Sequence, residues 1–264
     1  MNIKEIYFPI IDSTNTYMKN HYVELDNFAI VRSDYQSAGH GRENRVWYSK
    51  NGANLLFSIL IKDHKLIELG GLLSLVAACS ICESISKYSH NQITPFIKWP
   101  NDIYIEDKKV CGILLEGSVP NYLIIGVGLN LNQKEFEGEY RVAPTSLSLL
   151  LNKDIDFEVM KKQVYSDLLS NLSDVDGLKE HLFKYYNEHD YLKGREVEFV
   201  SNHQIIRGAV KGIDRLFNLV IIDKNNNEHN ILISPLEMLC SLLFLSIITR
   251  LNKRSIPFTA PLII

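Results

Sequence analysis

The segment SAGHGRENRVW, Ser37 to Trp47, gathers two glycines, two arginines and a tryptophan. Arginine holds phosphate or carboxylate through a planar two-pronged fork. Glycine lets backbone approach an anion closely. A dinucleotide fingerprint needs Gly-x-Gly-x-x-Gly between a strand and a helix. Here the third glycine position is Asn44, and the next element, NLLFSIL, reads as a strand. No Gly-Lys-Ser/Thr follows, so a P-loop is excluded as well. What remains is a strand–loop–strand segment carrying Gly39, His40, Gly41, Arg42, Arg45 and Trp47. Alone it reads equally well as an exposed polar turn. Trp47 could stack on a purine or pack beneath the loop.

Three further clusters could join it. KWPNDI, Lys98 to Ile103, puts a lysine and a proline into a segment with strand texture. A proline there marks an edge or a bulge, and a bulge can aim Lys98 into a cleft. The plain alternative is a strand end with Lys98 in solvent. GILLEG (Gly112 to Gly117) and GVGLNLN (Gly126 to Asn132) place glycines in otherwise buried strands, where a ligand or another backbone often comes close. Ser13, Thr14, Asn15 and Gln36 are neutral hydrogen-bonding groups at a helix start and just before the loop. Such groups suit a neutral polar head such as a urea or amide. Arg42, Arg45 and Lys98 suit a carboxylate and phosphates. Together the two sets describe a site for a small acid with a neutral polar end, and for a nucleotide.

The elements that must position these residues can be read from periodicity. IYFPII reads as a short strand, DSTNTYMKNHY as a capped helix to about Tyr22, and FAIVRSDYQ as a strand leading into the loop. NLLFSILIK reads as a strand buried on both faces. LIELGGLLSLVAACSICESISKYS is the longest clear helix. PFIKWPNDIYIE, KKVCGILLEGSV and YLIIGVGLNLN are strands, with Glu106 to Lys109 as a hairpin turn between the first two. Helices are expected at about 157–172 and 178–189. From Gly194 the texture changes to short, closely spaced strands, which predicts a small barrel-like β domain.

The chain has 264 residues, enough for one main domain plus a small one. With 46% hydrophobic and 22% charged residues it has ordinary globular composition. Its net charge of −3 supplies no global field for nucleic acid, so phosphate chemistry must come from a local cluster. Cys79 and Cys82 form a Cys-x-x-Cys pair within the apolar helix, but no further ligands lie at zinc spacing. They read as small core side chains in a reducing compartment. The opening residues show no signal peptide, and the apolar run near the C-terminus is too short to span a bilayer.

DSTN, QSAGHGRENRVW, KWPNDIYI, GILLEG and GVGLNLN, in this order over residues 12–132, resemble the motifs of the biotin protein ligase family. The β segment from about Gly194 resembles its SH3-like domain. The resemblance covers about residues 1–238. It implies an α+β fold, with a mixed sheet and helices like a class II aminoacyl-tRNA synthetase catalytic domain, plus a C-terminal SH3-like barrel. The implied division is 1–190 for catalysis, 191–238 for the barrel, and 239–264 as an apolar tail that matches nothing in the family. It implies that biotin and ATP, with Mg2+ accompanying ATP and no protein metal site, give biotinyl-5′-AMP. The biotin then passes to a lysine of a biotin carboxyl carrier protein.

By position, Ser13, Thr14, Asn15 and Gln36 would bind biotin. Arg42 and Lys98 would serve the carboxylate and the reacting phosphoryl group. Gly39, His40, Gly41, Arg42, Arg45 and Trp47 would close over the adenylate, with Gly112, Ile113 and Asn130 lining the cleft. The resemblance also implies a cytoplasmic enzyme that engages neither membrane nor nucleic acid, and it leaves a homodimer open. The sequence opens at the catalytic strand, so no helix-turn-helix repressor module is expected. His40 replaces a family arginine, and Glu43-Asn44 replaces Arg-Gly, so the loop is less basic than the family form. Lipoate ligation, or nucleotide binding without catalysis, are the competing readings.

Overall fold

The computed structural model describes residues 4–42, 45–201, 204–232 and 247–249. The chain opens with β1 (Glu5–Ile11), α1 (Thr14–His21) and β2 (Ile30–Gln36), and β1 and β2 pair in parallel. Ser13 caps α1 from an extended backbone, its hydroxyl accepting from Thr16 N. That cap fixes where the helix starts and leaves Thr14 and Asn15 in its first turn. β3 (Asn54–Ile61) is buried along its whole length, as its apolar run predicts. Leu55, Phe57, Ile59 and Ile61 enter the main core, and Leu60 packs under α1 with Met18.

The long helix expected next is two helices, α2 (His64–Leu69) and α3 (Leu72–Tyr88). Gly70 adopts φ 53° and returns its N–H to Ile67 O, which ends α2. The apolar spacing runs through this break, so periodicity alone could not show it. α3 is buried on nearly every side, and Cys79 and Cys82 lie inside it as free thiols.

PFIKWPNDIYIE is likewise two elements. β4 (Phe96–Lys98) turns through Trp99-Pro100-Asn101 into β5 (Asp102–Ile105), with Lys98 opposite Asp102. Proline cannot donate to a ladder, and here it ends a strand rather than bulging one. β5 turns at Glu106 and Asp107, both at positive φ, into β6 (Lys108–Ser118), which pairs with β7 (Tyr122–Asn130). The full sheet order is β1-β2-β3-β7-β6-β5-β4, antiparallel except at β1–β2. α3, α5 (Phe157–Ser173) and α6 (Val175–Glu188) share the core on one face. A short α4 (Leu147–Leu151), unexpected from the sequence, precedes α5.

The chain then forms β8 (Glu196–Ser201), β9 (Gln204–Ile213), β10 (Leu219–Ile222), β11 (Glu228–Ile231) and β12 (Ile247–Thr249), an antiparallel sheet in the order β11-β10-β9-β8-β12. Apart from β12, the apolar tail expected from residue 239 lies outside the described residues. The small sheet packs directly on the hairpin between β4 and β5. Trp99 is buried, donates from Nε1 to Phe217 O at 3.4 Å, and sits 6.4 Å from the Phe199 ring. The connecting segment is sewn to β4 by Ile97 N to His189 O (2.7 Å) and Tyr191 N to Ile97 O (3.0 Å). Whatever holds Lys98 is therefore held in turn by the C-terminal sheet. No helix among the described residues is long and apolar enough to cross a membrane.

Asp190 lies in that seam. Its Oδ1 accepts from Leu192 N and from the Tyr186 hydroxyl, and Oδ2 is buried and makes no hydrogen bond among the described residues. Burial pushes the carboxyl up to about 6, against the pull of those hydrogen bonds. A folded-state value above the unfolded one means that the folded chain keeps a proton the unfolded chain has shed. Stability from this group is therefore present at low pH and lost as pH rises from about 4 to about 6. Asp190→Asn is expected to gain about 2 kcal/mol relative to the parent between about pH 4 and pH 7. Urea denaturation at the two pH values checks this, and a pH-independent difference would contradict it.

Candidate functional site

The neutral polar residues expected to act together do meet. Thr14 N donates to Gln36 Oε1 at 2.7 Å, and Thr14 Oγ1 lies 3.0 Å from the same oxygen. Ser58 Oγ on β3 is 2.7 Å from Thr14 Oγ1 and 2.5 Å from Asn15 Oδ1. Asn15 Nδ2 donates to Glu116 Oε2 at 2.7 Å, and Lys19 Nζ reaches Glu116 Oε1 at 2.6 Å. Ser13 stays at the cap of α1, buried beside them. Burial alone would raise the Glu116 carboxyl, but hydrogen bonds from Lys19 and Asn15 and the charges of Lys19 and His40 hold it below the ordinary glutamate value. This chain crosses α1, β2, β3 and β6. It needs Gly126 on β7, because a Cβ there would lie 2.4 Å from Asn15 Oδ1.

The loop sits above the same sheet face. His40 bridges to Val46, and Trp47 N donates to Gly39 O at 2.9 Å, so the loop closes on itself. His40 Nδ1 is 3.2 Å from Ala38 O, and Nε2 is 3.6 Å from Glu116 Oε2. His40 thus turns back to the polar cluster. Gly39 and Gly41 do not take positive φ. Gly39 sits in a tight space, where a Cβ would meet Gln36 Cβ and Trp47 O, each at 3.3 Å. Arg42 Nη1 lies 3.4 Å from Asn101 Oδ1, and Asn101 Nδ2 donates to Ile113 O at 2.5 Å. Arg42, Asn101 and the Ile113 backbone are thereby linked. Arg45 is exposed, with its N–H on Arg42 O at 3.3 Å.

Trp47 packs under the loop. Gly112 on β6 stands directly opposite Gly128 on β7, and the indole lies on this bare floor. A Cβ would lie 2.8 Å from Trp47 Cζ3 at Gly112 and 2.6 Å from Cε2 at Gly128. The Trp47 indole N–H is buried and makes no hydrogen bond among the described residues. Asn130, at the end of β7, donates from Nδ2 to Thr145 O, while its Oδ1 is buried without a partner among them.

Lys98 faces the same side of the sheet. Its Nζ lies 5.3 Å from the centre of the Tyr104 ring and has no hydrogen-bond or ion-pair partner among the described residues. Burial pushes the ammonium below the ordinary lysine value; Lys109, Arg195 and Arg42 push the same way, and Asp102 opposes them. A desolvated ammonium among like charges gains from an arriving anion. Among the described residues no three His, Cys, Asp or Glu side chains group as metal ligands.

Several residues of this site went unnoticed in the sequence. Glu116 and Asn101 sit inside motifs quoted for other reasons. Ser58 is the one hydroxyl in an apolar run. Lys19 and Lys109 had no signal beyond their charge.

The sequence profile of the Biotin/lipoate A/B protein ligase family matches residues 7–130, which hold every element of this constellation. The structure superposes on the biotin protein ligase from Aquifex aeolicus in complex with biotin and ATP with a TM-score of 0.79, at 27% identity, covering 92% of this chain and 98% of that one. The chain is similar to biotin protein ligases in both sequence and fold. Its mixed sheet with a small C-terminal β-sheet is the fold of that solved ligase. The Bifunctional ligase/repressor BirA of Escherichia coli is 28% identical over 217 residues, 78% of this chain and 65% of that protein. The Biotin--[acetyl-CoA-carboxylase] ligase of Mycobacterium tuberculosis is 30% identical over 131 residues, 48% of this chain and 46% of its own length. The matched stretch thus spans between about half and two thirds of these curated relatives.

In this ligase-like fold the glycine floor sets the position of the loop. The sequence contains two tryptophans, and Trp99→Phe leaves Trp47 as the only one. In that background Gly128→Ala is expected to shift Trp47 emission to longer wavelength and raise its iodide quenching, because the new methyl expels the indole. Unchanged emission and quenching would show that the indole does not rest on Gly128.

Proposed function

We propose that the chain joins biotin to ATP, forming biotinyl-5′-AMP and pyrophosphate, and then transfers the biotinyl group to a lysine of a biotin carboxyl carrier protein. The single observation that carries this reading is the shared sheet face. A neutral hydrogen-bonding cluster (Thr14, Asn15, Gln36, Ser58) and the desolvated Lys98, without an ion-pair partner among the described residues, flank one arginine-bearing loop. The named relatives, and the structure solved with biotin and ATP, support the same reading.

In the first step a biotin carboxylate oxygen attacks the α-phosphorus, and the bond to the pyrophosphate oxygen breaks. Two anions must approach each other, so cations have to offset their repulsion and the charge developing on phosphorus. In this reading Lys98 and Arg42 supply those charges, and the bond from Arg42 to Asn101 supports it. Ser13, Thr14, Asn15 and Gln36 hold the ureido head. Gly39 to Trp47, with His40 and Arg45, cover the mixed anhydride and keep water from it. Gly112, Ile113 and Asn130 line the floor. Mg2+ enters with ATP as part of the substrate. In the second step the carrier lysine amine attacks the acyl carbon and AMP leaves.

Residues 1–190 would carry this chemistry, and 191–238 would brace the hairpin that bears Lys98. The three described cysteines are buried free thiols, which supports a reducing compartment, the cytoplasm.

ATP–pyrophosphate exchange is expected with biotin and not with lipoate. Exchange with lipoate alone, or with neither acid, would overturn the reading. Arg42→Ala is expected to weaken adenylate formation or retention by ~2 kcal/mol, the cost of a lost charge-assisted contact. Unchanged pyrophosphate release at low biotin would remove Arg42 from this role.

A further inference from the structure

The polar row from Gln36 to Glu116 has fewer hydroxyl protons than contacts to fill. Thr14 Oγ1 lies 3.0 Å from Gln36 Oε1 and 2.7 Å from Ser58 Oγ, and Ser58 Oγ lies 2.5 Å from Asn15 Oδ1. Amide oxygens only accept, and a hydroxyl carries a single proton. Two protons therefore serve three contacts, and one contact is left without a proton.

Glu116 decides which contact that is. Burial works against its charge, yet hydrogen bonds from Lys19 and Asn15, with the charges of Lys19 and His40, keep it ionised. An ionised carboxylate has only lone pairs, so the Asn15 amide, 2.7 Å from Oε2, must present Nδ2 to it. Oδ1 is thereby turned to Ser58, and the shortest contact of the row takes the Ser58 proton. The contact between the two hydroxyls then takes the Thr14 proton. Gln36 Oε1 cannot trade places with Nε2, because it already accepts from Thr14 N at 2.7 Å. Two acceptor oxygens, Thr14 Oγ1 and Gln36 Oε1, thus stand 3.0 Å apart with no proton between them. Such a pair gains from an N–H donor that it can share, and gains nothing from a further acceptor.

We propose that Glu116 is a positioning residue for the biotin head: by fixing the Asn15 amide it sets the direction of the whole row and makes Thr14 Oγ1 and Gln36 Oε1 a paired acceptor for a ureido N–H. The role rests on the biotin reading given above and deepens it, since Glu116 acts through Asn15 and Ser58. With an amide at position 116 the row can run the other way. Asn15 Nδ2 would then donate to Ser58, Ser58 to Thr14, and Thr14 to Gln36 Oε1, which fills every contact and removes the paired acceptor.

The test is calorimetric binding of biotin to the full chain without ATP, with biotin-dependent ATP–pyrophosphate exchange as a second readout. Glu116→Gln is expected to weaken biotin binding by about tenfold, the loss of one hydrogen bond, while the KM for ATP stays within about twofold. Lys19→Met removes the ion pair but keeps a carboxylate at 116, so biotin binding should stay within about threefold of the parent. A biotin analogue methylated on both ureido nitrogens has no N–H to share. The parent should bind it more weakly than biotin, and Glu116→Gln should lose little more, so that the two losses do not add. Ser58→Ala interrupts the row and is expected to match Glu116→Gln, which keeps the role testable if Glu116→Gln does not fold. Unchanged biotin binding in Ser58→Ala or Glu116→Gln, an equal loss in Lys19→Met, or fully additive losses with the methylated analogue would overturn the role of Glu116. Failure of the unsubstituted chain to bind biotin at all would instead overturn the biotin reading.

Discussion

The bare patch that Gly112 and Gly128 leave at the middle of the sheet decides where the rest of the site can be. Two opposed glycines on neighbouring strands remove two side chains from one face at one point. The Trp47 indole fills that space, and any Cβ at either position would collide with it. The indole in turn fixes the base of the loop through the hydrogen bond from Trp47 N to Gly39 O. His40 and Arg42 hang from that closed loop toward opposite groups, Glu116 on one side and Asn101 on the other. Glycine lowers strand stability by leaving nothing to pack. The burial of a large aromatic ring over the gap offsets that loss.

A second constraint works through polar burial. Gln36, Thr14, Asn15, Ser58 and the half-buried Glu116 satisfy one another across four elements, with the Lys19 ammonium closing the chain. A buried polar group without a partner costs about 1–3 kcal/mol, so each member of such a network depends on the others being in register. This ties the start of α1 to the centre of the sheet. It also requires Gly126, since the Asn15 amide occupies the space of a side chain there. The glycines of GVGLNLN thus have two separate spatial duties, one under Asn15 and one under Trp47.

The charge arrangement is complementary to these two. The neutral cluster lies toward α1, and the cations lie toward the hairpin of β4 and β5. Low local dielectric strengthens both the repulsion among the cations and their attraction for an arriving anion. The C-terminal sheet takes part by burying Trp99 against Phe199 and Phe217, which holds the hairpin that carries Lys98. Arg195, at the start of that sheet, reaches Asp107 in the next turn at 3.0 Å and contributes to the field at Lys98. The small sheet is therefore part of the electrostatic setting of the site as well as its support.

Much of this was legible in one dimension. Ser13 as a helix cap, β3 buried on both faces, the turn at Glu106-Asp107 and the change of texture near Gly194 all depend on local chemistry that neighbours in sequence already declare. The meeting of Thr14 with Gln36 was suggested only by residue type, yet it holds. The break at Gly70 and the hairpin at Trp99-Pro100-Asn101 were hidden because apolar spacing continues through both. The roles of Glu116, Ser58 and Lys109 could not be read at all. Glu116 matters through Asn15 and Lys19, which lie 101 and 97 positions away. Lys109 faces the site only because of a one-residue bulge that reverses its side. Sequence determines the local conformations and the kinds of chemistry on offer. Which side chains share a face, and which charges lie close enough in a water-poor setting to feel each other, depends on strand register, and only the folded sheet sets that.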